Sequence, residues 1–120
     1  MNILMVALGG ALGAVCRYGI SRLPFEANFP IATFITNLIG AFLIGFIVGV
    51  SEKNNVSERM VLFLKTGFCG GFTTFSTFSL ETVTLLNDGK YLIGGTYMVL
   101  SLILCIAGAF AGQQCARQMI

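Results

Sequence analysis

Residues 67–78, Gly67-Phe68-Cys69-Gly70-Gly71-Phe72-Thr73-Thr74-Phe75-Ser76-Thr77-Phe78, constrain the chain more than any other stretch. They lie inside an apolar segment where a continuous helix is expected. Each glycine weakens a helix by about 1 kcal/mol relative to Ala, and the hydroxyl residues that follow favour caps and turns over helix interiors. In water the stretch reads as a loop. At membrane depth it reads as a helix break, which frees backbone carbonyls and amides. Lipid satisfies neither, so such a break has to be buried in protein or line a polar cavity.

Whether the surroundings are lipid is a matter of composition. Of 120 residues, 56% are hydrophobic and 10% charged, with no His and no Trp, against about 25% charged in a soluble domain. The chain reads as an all-α integral membrane protein, a single four-helix domain over residues 1–120. A net charge of +2, spread along the chain, gives no footprint for nucleic acid. The cysteines Cys16, Cys69, Cys105 and Cys115 lie in apolar segments without metal-type spacing and read as small buried hydrophobes.

The expected spans are 2–22, 31–51, 60–86 with a break near 70–75, and 91–113. The first has no basic leader region, and three more spans follow, which argues against a signal peptide. Its Gly9-x-x-x-Gly13 permits close helix contact, and its Arg17 either snorkels to the headgroups or faces a polar interior. The second span is long enough at about 1.5 Å per residue to cross the hydrocarbon. It carries Asn37, with Thr33 one turn before and Gly40 one turn after. An amide there either bonds a neighbouring helix or donates into a pore. The fourth span carries Tyr97, Ser101 and Cys105 at helical spacing along one face.

Four spans put both termini on one side. Lys53, Arg59, Lys65 and Arg117 fall on that side, and Arg17, Arg22 and Lys90 on the other. Positive charge normally fixes orientation. With so little bias the chain is expected to insert both ways, and two copies can then pair as an antiparallel homodimer with its two-fold axis in the membrane plane.

Carbonyls freed around Gly70 to Thr73 suit a hard cation, as in unwound transporter helices. Beyond the break Phe75 and Phe78 share a helix face, among hydroxyls of Thr74, Ser76, Thr77 and Ser79. Phenyl rings carry a positive edge, and ring edges with hydroxyl and amide donors favour a small dehydrated anion. The alternative is an aromatic packing seam whose hydroxyls bond back to i−4 carbonyls. Glu81 follows one turn after Phe78.

The run Gly67-x-x-Gly70-Gly71-x-Thr73-Thr74-Phe75-Ser76-Thr77-Phe78 resembles the signature of the Fluc family of fluoride channels, also known as CrcB proteins. Thr36-Asn37-x-x-Gly40-x-Phe42 resembles that family's second-helix motif, and Arg17 matches its first-helix arginine. The resemblance spans the whole chain. It implies a dual-topology homodimer in the bacterial inner membrane, with two fluoride pores and a central structural sodium ion. By the same resemblance Phe75 and Phe78 are the pore phenylalanines, Asn37 is a pore donor, and Arg17 belongs to the pore. Ser76, Thr77 and Tyr97 line a polar track, and the carbonyls of Gly70 and Thr73 ligate sodium. The implied activity is passive fluoride efflux giving fluoride resistance. No ATP motif, proton-relay His or nucleophile–base pair points to a pump or an enzyme. A small multidrug transporter would be expected to carry a carboxylate in its first helix, and residues 2–21 contain none. A non-transporting assembly protein is the structural alternative.

Overall fold

The computed structural model describes residues 1–25 and 27–119. Helix α1 runs Asn2–Ser21 and α2 runs Ile31–Lys53. Helix α3 covers 58–72. It opens as an α-turn over Glu58–Val61, widens to a π-helix over Leu62–Cys69, and closes with an α-turn over Gly70–Phe72. Helix α4 is Phe75–Asn87 and α5 is Tyr91–Met119.

Local chemistry sets most of these boundaries. Pro30 precedes the first residue of α2, where its missing N–H costs nothing. Ser57 caps α3, its hydroxyl accepting from the Met60 N–H at 3.2 Å. Helix α4 ends in a Schellman motif: the Lys90 N–H donates to Leu85 O at 2.9 Å and the Gly89 N–H to Leu86 O at 3.1 Å. Gly89 sits at φ 77°, the left-handed conformation this cap requires.

The helices associate as two tight pairs. In the first, α1 lies against α3. A Cβ on Gly9 would overlap the Phe63 carbonyl, one on Gly13 the Phe68 carbonyl, and one on Gly71 the Gly10 carbonyl. In the second, α2 lies along α5, where Gly45 meets the Ala109 backbone and Gly112 meets the Phe42 carbonyl. Small residues drive association in lipid because apolar side chains gain nothing there by leaving the bilayer. Helix α4 packs on the first half of α5 around the buried cluster Phe78, Leu85 and Tyr97, which Phe29 and Phe34 flank.

Helices α1, α2 and α5 are each long and apolar enough to cross a membrane. Ile3, Leu92, Ile103, Ile106 and Phe110 are exposed on their surfaces, as expected of side chains that meet lipid or protein in place of water. The chain is thus an all-helical, multi-pass integral membrane protein. Segments 58–72 and 75–87 are each too short to span alone.

The interruption falls later than the glycines. Gly70 and Gly71 are helical, and the extended residues are Thr73 (φ −85°, ψ 157°) and Thr74 (φ −149°, ψ 121°). The missing Cβ atoms at Gly67 and Gly71 serve close approach to α1. The hydroxyl residues supply the break.

Candidate functional site at the helix break

The break is held from two sides. Asn37 on α2 makes a reciprocal pair with Thr74: its Nδ2 donates to Thr74 O at 3.1 Å, and the Thr74 N–H donates to its Oδ1 at 2.8 Å. A primary amide is one of few side chains that mimics a neighbouring backbone strand in this way. From α1, Arg17 Nε donates to Gly71 O at 3.1 Å. This bond turns the half-buried Arg17 toward α3. The Thr73 hydroxyl folds back onto Cys69 O at 2.8 Å. The Thr74 hydroxyl caps α4 by accepting from the Thr77 N–H at 3.2 Å, and shares a 3.4 Å hydrogen bond with the Ser76 hydroxyl.

These diversions free two specific carbonyls. In an unbroken helix Gly70 O would accept from the Thr74 N–H, but that hydrogen goes to Asn37. Thr73 O would accept from the Thr77 N–H, but that hydrogen goes to the Thr74 hydroxyl. Gly70 is exposed and Thr73 half-buried.

The two phenylalanines lie next to the break with ring centroids 5.6 Å apart. Phe78 is buried, at 8% exposure, whereas Phe75 is 74% exposed. Phe78 continues onto Tyr97 at 5.0 Å, and Tyr97 meets Phe29 edge-on at 5.3 Å. The Tyr97 hydroxyl donates to Glu81 Oε1 at 2.8 Å, and the Thr33 hydroxyl donates to Glu81 Oε2 at 3.1 Å. The carboxylate is therefore fixed by one donor from α5 and one from α2. No role for this Thr33–Glu81–Tyr97 unit follows from the sequence. Its only trace there is a lone acid in an apolar segment, with Thr33 and Tyr97 separately in helical phase with other polar residues.

A cavity of about 320 Å³ opens beside the break. Asn37, Thr73, Thr74, Phe75, Phe78 and Ser101 contribute to its wall. Among the sequence-derived site residues it thus unites Asn37, Thr73, Phe75 and Phe78. Arg17 lies behind the break on Gly71, Ser76 is exposed, and Thr77 is half-buried. Tyr97 is fully buried behind Phe78 and does not reach the cavity. The Tyr97–Ser101–Cys105 stripe therefore divides, its first member serving Glu81 and its other two facing the cavity. The packing alternative accounts for some hydroxyls: Ser79, Thr82 and Thr84 all bond back to i−4 carbonyls. It does not account for Thr74, whose hydroxyl caps a restarting helix.

The arrangement is a largely apolar cavity walled by the two phenylalanine rings, with Asn37, Thr73, Thr74 and Ser101 as its polar members and no nucleophile–base pair among the described residues. Residues 4–113 match the family model described as CrcB-like protein, Camphor Resistance (CrcB). A Ruminiclostridium cellulolyticum protein named fluoride-specific ion channel FluC is 45% identical over 98% of this chain and 93% of its own length. Proteins of the same name from Agrobacterium fabrum (44% identical, 99% and 98% coverage) and Ignicoccus hospitalis (39%, 98% and 97%) are similar over nearly their full lengths. On the family match and on these full-length relatives, the chain belongs to the CrcB family of ion channels, not to any enzyme family.

Proposed function

We propose that this protein is a fluoride-selective channel through which fluoride leaves the cytoplasm passively. The observation that carries the reading is the break itself. Asn37 holds Thr74, a pair of phenylalanines stands at the restarting helix, and the full-length relatives carry the name of fluoride channels. Fluoride enters cells from acidic surroundings as neutral HF and dissociates in the more neutral cytoplasm. An inside-negative potential then drives the trapped anion outward by about 2.3 kcal/mol per charge per 100 mV. The path needs only to replace the hydration shell. Ring edges of Phe75 and Phe78 supply a weakly positive lining, and the Asn37 amide with the Thr77, Ser76 and Ser101 hydroxyls supplies donors along or near it.

In this reading segments 58–72 and 75–87 act together as a broken third span, between α2 and α5. The functional unit is an antiparallel, dual-topology homodimer with two pores in the bacterial inner membrane. The exposed Phe75 supports a partner at this face, as does the four-to-three balance of positive charge. The carbonyls of Gly70 and Thr73, freed of their helical donors, fit a structural sodium ion shared between the two breaks. Neutral oxygens without a carboxylate suit a monovalent ion better than calcium. Bound there, sodium would neutralise facing carbonyl dipoles and tie the subunits together. Replacing sodium on both sides by N-methylglucamine should lower fluoride efflux, and an unchanged rate means these carbonyls hold no functional cation.

Purified protein in liposomes, read with a fluoride electrode and a chloride electrode in parallel, tests the function. Rapid fluoride efflux with little chloride efflux is expected. Equal rates for the two ions contradict selectivity. Transport that requires a proton gradient favours a coupled carrier of the small multidrug type.

A further inference from the structure

Lys65 carries a charge deep in the membrane-spanning part of the fold. Helix α1 runs alongside α3, with Gly9 against the Phe63 and Phe68 backbone and both Gly10 and Gly13 against Gly71. The middle of the α1 span, Asn2–Ser21, therefore stands level with Gly71. Lys65 precedes Gly71 by six residues, which at about 1.5 Å per residue places it no more than about 9 Å from the mid-plane. The hydrocarbon extends about 15 Å from the mid-plane on each side. Lys65 is exposed, and its ammonium has no salt-bridge or hydrogen-bond partner among the described residues. Ionisable side chains at this depth characteristically face a bundle interior or a water-filled cavity and mark ion pathways.

The π-helical winding of Leu62–Cys69 gives the direction in which Lys65 faces. Residues four and five apart share a face there, so Gly70 follows Lys65 and Thr66 on one side of α3. All three are exposed, and a Cβ on Gly70 would meet nothing within 4 Å. The Gly70 carbonyl has lost its helical donor, because the Thr74 N–H goes to Asn37. Lipid cannot satisfy such a carbonyl, so this face needs a polar or protein covering. A lysine that merely snorkels along a lipid-facing surface would not share its side of the helix with that group. In the antiparallel dimer the two-fold axis passes between the two breaks. Lys65, which precedes its own break, then stands level with Phe75 and Phe78 of the partner subunit, which follow theirs. We propose that Lys65 lines a water-filled entry at the subunit boundary and attracts fluoride toward the rings of the partner subunit. The inference rests on the fluoride path and the dimer proposed above. One ammonium among neutral donors raises the local anion concentration. Its pull is strongest when fluoride is scarce and weakens as salt screens it.

The test uses the full chain in liposomes, with initial efflux read by a fluoride electrode over a range of internal fluoride and at low and high ionic strength. Lys65→Met keeps a long stem without the charge, and Lys65→Arg keeps the charge. At low fluoride and low salt, Lys65→Met should be slower than the wild type by about fivefold, as loss of a unit charge about 4 Å from the ion in water implies. The gap should close at saturating fluoride and at high salt, and Lys65→Arg should keep most of the wild-type rate. An unchanged rate in Lys65→Met overturns the proposal. So does a loss that is uniform across fluoride and salt, or one that Lys65→Arg shares, because packing alone would produce it. Lys65→Cys, in a background lacking the four native cysteines, adds a reading of charge and water together. Trimethylammonioethyl methanethiosulfonate carries a positive charge and sulfonatoethyl methanethiosulfonate a negative one, and mass spectrometry reads the labelling. The positive label should raise that variant's efflux and the negative label lower it. No labelling, or the same effect from both charges, overturns the proposal. If the wild-type protein moves no fluoride, the channel reading itself fails, while protection of Lys65→Cys from both reagents would still exclude a water-filled entry.

Discussion

At the scale of single residues, Asn37 connects sequence to mechanism most directly. The sequence presents an amide in an apolar span and leaves glue and pore donor open. In the structure its oxygen and one amide hydrogen are committed to Thr74, so it fixes the break whatever else it does. Asn37→Asp retains an acceptor for the Thr74 N–H but loses the donor to Thr74 O and places a carboxylate against that carbonyl. A buried acceptor left unsatisfied costs about 1–3 kcal/mol. We expect a lower unfolding midpoint in detergent together with weak fluoride efflux. A variant matching the parent in both measurements would show that the clamp is dispensable. Glu81 marks the opposite case in legibility. Its partners Tyr97 and Thr33 lie 16 and 48 residues away in sequence, and only tertiary packing brings them together.

At the scale of elements, the helices were legible because apolar runs of this length have few alternatives in lipid. The location of the break was legible only coarsely. Low helix propensity at Gly67, Gly70 and Gly71 pointed to them as the break, yet they remain helical. At Gly67 and Gly71 contact with α1 offsets the propensity cost, because only glycine lets the α1 and α3 backbones come so close, whereas a Cβ on Gly70 would meet nothing within 4 Å. The π-helical stretch in α3 left no readable signal, since its residues differ little from those of any apolar helix. The packing role is testable. Ala at Gly9 or Gly13 would meet the Phe63 or Phe68 carbonyl, and backbone cannot move aside as a side chain can. Each should destabilise the fold by about 1–3 kcal/mol, as overpacking typically does, read as a lower unfolding midpoint. Gly19 on the same helix has nothing within 4 Å of such a Cβ, so Gly19→Ala should be neutral or stabilise by about 0.5–1 kcal/mol. Equal effects at the three positions would exclude the close-contact explanation.

At the scale of the whole molecule, the proposed assembly follows from a near-balance of charge and from what one chain leaves uncovered. Phe75 beside the break, with Leu102 and Ile106 on α5, is exposed at the mouth of the cavity. A single chain therefore leaves its candidate path open on one side, and a second copy in the inverted orientation would close it. One cysteine introduced into residues 54–57, in a background lacking the four native cysteines, reports the orientation. Labelling by a membrane-impermeant maleimide from both faces of the membrane is expected, and labelling from one face only would exclude dual topology. The central claim is narrower than the assembly: fluoride passes the break along the rings of Phe75 and Phe78. Replacing either ring by Ile keeps an apolar side chain but removes the positive ring edge, at a stability cost below about 1.5 kcal/mol if the site repacks. The most direct measurement is fluoride efflux from liposomes carrying the wild-type protein, Phe75→Ile or Phe78→Ile, each first shown to be folded and of wild-type oligomeric size. Rapid efflux from the wild type and loss of most of it in both variants are expected; near wild-type efflux from both would mean that fluoride does not pass along these rings.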